Sequence, residues 1–108
     1  MKVVAIRPGQ YAQIEELNEG LESMQEFVGG YIEVVYPFED EVALVCNEEG
    51  KLNGMKPCRA LQNENGEVID IVFGPFFICG LGEEDFDSLT EEQQEKYMSM
   101  FRLPEIFL

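Results

Sequence analysis

The apolar residues of this chain fall into short runs separated by turn residues, and each run predicts one element. Lys2 to Arg7 (KVVAIR) reads as a strand ended by Pro8-Gly9, where proline fixes φ and glycine permits a positive one. Tyr11 to Ile14 is expected to return antiparallel to it. Leu21, Met24, Phe27 and Val28 recur at helical spacing with Glu22, Gln25 and Glu26 between them. Gly29-Gly30 follows as a stop, which predicts a short amphipathic helix. Tyr31 to Tyr36 (YIEVVY) is β-branched and aromatic with Glu33 alone polar, the pattern of a central strand covered on both faces. Pro37 ends it, and past Glu39-Asp40-Glu41 the run Val42 to Cys46 is expected to pair back as a hairpin arm.

Asn47-Glu48-Glu49-Gly50 makes the next turn, and Lys51 to Leu61 mixes Asn53-Gly54 and Pro57 with a short apolar end, an irregular loop holding one edge strand. Asn65-Gly66, the strongest tight-turn signal, leads into Val68 to Phe73, whose alternation puts Val68 and Asp70 on one face and Ile69 and Ile71 on the other. Gly74-Pro75 interrupts before Phe76 to Cys79 resumes as a strand. Thr90-Glu91-Glu92-Gln93 has the form of a capping box. It opens a second helix whose docking face is Tyr97, Met98 and Phe101, and Pro104 closes the pattern. The expected fold is α+β, a twisted and mostly antiparallel sheet of about five to six strands with two helices. A length of 108 residues makes residues 1–108 a single domain.

Charge narrows the function classes. With 22 acids against 7 cations the formal charge is −15, and there is no histidine. Such a surface repels phosphate backbones and anionic lipid, so no direct nucleic acid and no membrane is expected as partner. The missing histidine removes the commonest general base and the commonest zinc ligand. The apolar runs are too short to span a bilayer and no signal-peptide pattern opens the chain, so a soluble, cytoplasmic protein is expected. Cys46, Cys58 and Cys79 are odd in number and lack CxxC spacing, which predicts reduced, buried thiols.

Several kinds of chemistry find no support. Glu83, Glu84, Asp85 and Asp87 do not follow a calcium-loop spacing, because position six from Asp85 is Thr90 where glycine is required, and no metal is expected. Paired carboxylates are generic among so many acids, the thiols lack an activating histidine, and Gly80-Leu81-Gly82 does not continue into a dinucleotide fingerprint. The expectation is a protein without catalytic residues or cofactors.

Binding chemistry fares better. Residues 1–50 carry a net −9 and residues 81–108 a net −6, whereas 51–80 balance, because Lys51, Lys56 and Arg59 offset Glu64, Glu67 and Asp70. The plain reading is relief of self-repulsion; the sharper one is a local cationic spot for a small anion. Backbone N–H groups at glycine turns (Gly29-Gly30, Gly50, Gly54, Gly74) can form an anion nest, and Arg59 with Lys51 or Lys56 can clamp a phosphate or carboxylate. Tyr31 or Phe76 can stack on a base. A third possibility uses the acidic surface itself, as an imitation of DNA that occupies another protein's binding groove, against the plain reading of solubility.

The segments Val28-Gly29-Gly30-Tyr31-Ile32-Glu33, Asn47-Glu48-Glu49-Gly50-Lys51-Leu52, Cys58-Arg59-Ala60-Leu61 and Gly74-Pro75-Phe76-Phe77-Ile78-Cys79-Gly80 together resemble the domain-of-unknown-function family 3846. That family comprises small proteins of Gram-positive bacteria, their phages and mobile elements. The resemblance spans Lys2 to about Phe101. It implies a mobile-element setting, where small non-enzymatic proteins block host defence, and it puts Gly29, Gly30, Glu33, Asn47, Lys51 and Arg59 in recurring motifs. The resulting expectation is a counter-defence sponge that sequesters a small nucleotide-like ligand at Arg59, Lys51, Asn47, Gly29, Gly30, Tyr31 and Glu33, as a homo-oligomer with the site between protomers. The alternative is an acidic DNA mimic or protein inhibitor of a host defence protein.

Overall fold

A computed structural model describes residues 1–107. The strands are β1 (Lys2–Ile6), β2 (Gln13–Glu16), β3 (Ile32–Val35), β4 (Val42–Asn47), β5 (Pro57–Gln62), β6 (Val68–Phe73), β7 (Phe76–Leu81) and β8 (Phe86–Asp87). Helix α1 (Leu21–Val28) lies between β2 and β3, and α2 (Glu91–Phe101) follows β8. The fold is α+β. The main sheet runs β2-β1-β7-β4-β3 with β8 paired to β7, and β5-β6 forms a separate two-stranded sheet. Every pairing is antiparallel.

The three inner strands are apolar on both faces because both faces are covered. On one face Val3, Ala43, Val45, Phe77 and Cys79 pack with Met24 and Val28 of α1. On the other, Val4, Ile6, Leu44, Phe76 and Ile78 pack with Tyr97 and Phe101 of α2 and with Cys58, Leu61 and Val72 of the small sheet. Aromatic rings meet edge to face in both layers, Phe27 on Phe77 at 5.4 Å and Phe76 on Phe101 at 5.4 Å.

Both helix boundaries follow the local chemistry read from the sequence. Gly29 adopts φ 79° and its N–H bonds the Gln25 carbonyl, which closes α1. At α2 the Thr90 side chain accepts from the Gln93 N–H while the Gln93 side chain accepts from the Thr90 N–H, a complete capping box.

The segment Tyr31 to Tyr36, expected as a central strand, is instead an edge. β3 pairs with β4 alone, and Tyr31 is 76% exposed. Ile32 and Val34 pack with the α1 layer and Val35 with the opposite one, while Glu33 is exposed. The segment after Lys51 holds an edge strand, as expected, and that strand belongs to the separate two-stranded sheet. No helix among the described residues is long and apolar enough to cross a membrane.

Candidate functional site

Between the β3-β4 pair and β6 lies an open groove of about 490 Å³. Glu33, Val35, Leu44 and Cys46 line its sheet side, Val68 to Phe73 its hairpin side, and Glu48 and Lys51 its turn end. The hairpin stands off the main sheet here, so Val68 and Ile69 remain 58% and 56% exposed although Val72 of the same strand is buried. Three carboxylates, Glu33, Glu48 and Asp70, face one cation, Lys51, which lies with its Nζ 5.8 Å from the centre of the Phe73 ring. The groove is therefore acidic with partly apolar walls. Its volume falls in the range of small-ligand and peptide-side-chain pockets.

The expected site residues do not converge on one ligand. Glu33 and Lys51 line the groove, as does Asn47, but Asn47 is buried with both polar atoms of its side chain bonded to backbone. Its Nδ2 donates to the Val28 carbonyl at 3.1 Å and its Oδ1 accepts from the Glu49 N–H at 2.8 Å. Gly30 is part of the same device, since a Cβ there would sit 2.9 Å from Asn47 Nδ2. Gly29 and Gly30 thus close a helix and admit Asn47, with both of their N–H groups bonded to the Gln25 carbonyl. Tyr31 stands outside the groove, its carbonyl accepting from the Glu48 N–H.

Arg59, the residue expected to clamp an anion, is 1% exposed and lies away from the groove. Its guanidinium is bonded to three backbone carbonyls: Nε donates to Phe101, one Nη to Cys58 and the other to Gln10, at 3.1, 2.9 and 2.6 Å. A cation so enclosed is a structural tie between β5, the β1-β2 turn and the end of α2. The sequence signal was real but ambiguous, because an Arg between Cys58 and Ala60 in an apolar strand reads equally as a buried clamp.

Two of the other cations are also engaged, whereas Lys2, Lys56 and Arg102 are exposed. Arg7 forms a two-pronged pair with Glu15 and lies over the Phe27 ring, and Lys96 bonds Asp40 at 2.6 Å. Glu15 and Asp40 are the two acids of the chain that are not fully exposed, and each holds a cation. Hydrogen bonding to Arg7 holds the Glu15 carboxyl below its ordinary range, and Lys96 followed by the Tyr97 hydroxyl does the same for Asp40. The remaining carboxylates are exposed, with Glu16 beside the Met1 amino group and Glu105 accepting from the Ala60 N–H.

Thiol chemistry is suppressed at all three cysteines, which are free and buried. Burial is the first cause in each case. It pushes Cys46 up to about 11, with help from Glu33 and Asp70, and pushes Cys58 and Cys79 up to about 12. Among the described residues no group of three or more His, Cys, Asp or Glu is placed to hold a metal ion.

Residues 1–102 match the family described as Domain of unknown function (DUF3846). No curated protein matches the chain, and no solved structure does.

Proposed function

From the premise that this chain belongs to the DUF3846 family, whose description carries no activity, we propose that it is a non-enzymatic acidic binding protein that occupies a cationic surface of a partner protein. The observation that carries this reading is the division of charge. Every carboxylate except Glu15 and Asp40 is exposed, while Arg59, Arg7 and Lys96 are held inside the fold or by those two acids. A field of that sign attracts Lys- and Arg-rich surfaces, including the grooves with which nucleases and repressors hold DNA. In the mobile-element setting that the family resemblance implies, a host defence protein of that kind is the partner. The absent histidine and the three suppressed thiols support a role without catalysis.

Sequestration of a small nucleotide-like ligand is the second reading. It is favoured by one feature, the ligand-sized groove in which Lys51 lies beside the Phe73 ring. Glu33, Glu48 and Asp70 oppose an anion there, and Arg59 is buried away from the groove with three backbone carbonyls on its guanidinium.

The test is competition for duplex DNA bound by a DNA-cleaving defence protein. The acidic reading expects displacement by the wild-type chain and its loss in Glu91→Lys/Glu92→Lys/Glu95→Lys, three exposed positions on α2. A bound nucleotide released on heating the purified protein, with no displacement of DNA, would instead establish the second reading.

A further inference from the structure

We propose that the free edge of β3, with the groove beside it, takes up an extended cationic segment of the partner as an added strand. This deepens the binding reading above and rests on it. The backbone supplies the first argument. The Glu48 N–H donates to the Tyr31 carbonyl at 2.9 Å, and the register pairs Ile32 with Asn47, Glu33 with Cys46, Val34 with Val45 and Val35 with Leu44. Bonded and non-bonded pairs alternate in an antiparallel ladder, so Glu33 and Val35 spend their backbone groups on β4. Ile32 and Val34 turn theirs outward.

The two outer edges of the main sheet differ in protection. β2 carries Gln13, Glu15 and Glu16 among its four residues, the charged blunting common on exposed edges. β3 reads Ile-Glu-Val-Val between two exposed tyrosines, Tyr31 and Tyr36, and faces the exposed Val68 and Ile69 across the groove. It is the edge left open to pairing, and strand addition at such an edge is an established way to recognise a peptide.

Charge selects the occupant. Side chains of an added strand alternate between the groove and the α1 side. Those on the groove side meet Glu33, Glu48 and Asp70 against Lys51 alone, a net of 1 − 3 = −2, which fits Lys or Arg at alternate positions. Those between extend the face of Ile32 and Val34, which fits β-branched residues. A second copy of this chain does not fit, because each copy carries −15 and pairing β3 with itself brings two Glu33 side chains together.

The test measures binding of a labelled, end-blocked peptide of alternating Lys and Val, its analogue N-methylated at alternate residues, and spermine. Val34→Pro removes one outward N–H while sparing the bonds to β4, and Glu33→Lys/Asp70→Lys reverses the groove charge without touching the backbone. The expected result is binding of the parent peptide, weakened about tenfold or more by N-methylation and by either variant, with unchanged circular dichroism. Equal binding of the N-methylated peptide, or full competition by spermine at equal charge, overturns the strand site. If Val34→Pro and Glu33→Lys/Asp70→Lys still displace DNA from the defence protein while the α2 reversal does not, the strand site falls and the acidic reading stands. Absence of binding to every cationic probe and protein removes both.

Discussion

The Nε of Arg59 donates a 3.1 Å hydrogen bond to the carbonyl oxygen of Phe101, the last residue of α2. Helix C-termini expose unpaired carbonyls and a partial negative charge, and α2 has no basic residue of its own in its last turn. Arg59 supplies that cation from β5. The same guanidinium reaches the Gln10 carbonyl in the β1-β2 turn, so one side chain joins three segments far apart in the chain.

Arg59→Ala is therefore expected to act on stability. It leaves the carbonyls of Phe101, Cys58 and Gln10 short of a donor in a buried place, a loss of about 3 kcal/mol or more. For a domain this size that lowers the melting temperature by roughly 15 °C, read by calorimetry. Arg59→Lys is expected to recover only part of it, because an ammonium cannot reach three carbonyls in a planar fork.

Gly30 and Asn47 are expected to be coupled. Asn47→Ala removes both side-chain bonds and costs about 1 to 3 kcal/mol. Gly30→Ala alone drives a Cβ against Asn47 Nδ2, so the double variant is expected to lose less than the sum of the singles by about 0.5 kcal/mol or more in urea titrations. Strict additivity would separate the two residues.

Much of the fold was legible and most of the site was not, for a common physical reason. Turn glycines, the capping box and the strand runs are local signals, and they held. Whether an apolar strand is central or edge depends on what packs against it, and YIEVVY carries no local mark of its place. Likewise the balanced charge of residues 51–80 located Lys51 and Arg59 correctly in sequence, yet only the packing of α2 against β5 turned Arg59 inward. Val68 and Ile69 announced no groove, because exposure of one end of a strand is set by how the hairpin leaves the sheet.

Stability is expected to fall at both ends of the pH scale. The Glu15 and Asp40 carboxyls are depressed in the folded state, so the unfolded chain binds their protons first. Their contribution is complete above the ordinary values of 4.5 and 3.8 and is lost as pH falls through the lower, folded ones. Tyr97 is shifted the other way, upward, by burial and by its bond to Asp40. The unfolded chain then loses its tyrosine proton first, and stability declines above pH 10, the ordinary value. Glu15→Gln should flatten the acid limb and Tyr97→Phe the alkaline one in denaturant midpoints recorded across pH.

The native thiols should be nearly inert. At neutral pH a thiol pushed to about 11 holds very little thiolate, so iodoacetamide should label Cys46, Cys58 and Cys79 on the order of 100-fold more slowly than free cysteine. Urea should release all three together. Rapid labelling of one thiol in the folded protein would show an activation that burial does not supply.

The most direct test of an acidic surface that binds cationic protein is the salt dependence of the complex with a DNA-binding defence protein. Exposed charges are screened within about 10 Å at 0.1 M salt. The wild-type chain is therefore expected to bind about tenfold or more weakly when salt is raised from about 50 to about 200 mM, and Glu91→Lys/Glu92→Lys/Glu95→Lys should bind weakly throughout. A dissociation constant that ignores salt, or a charge-reversed chain that binds as well as the wild type, would contradict the account.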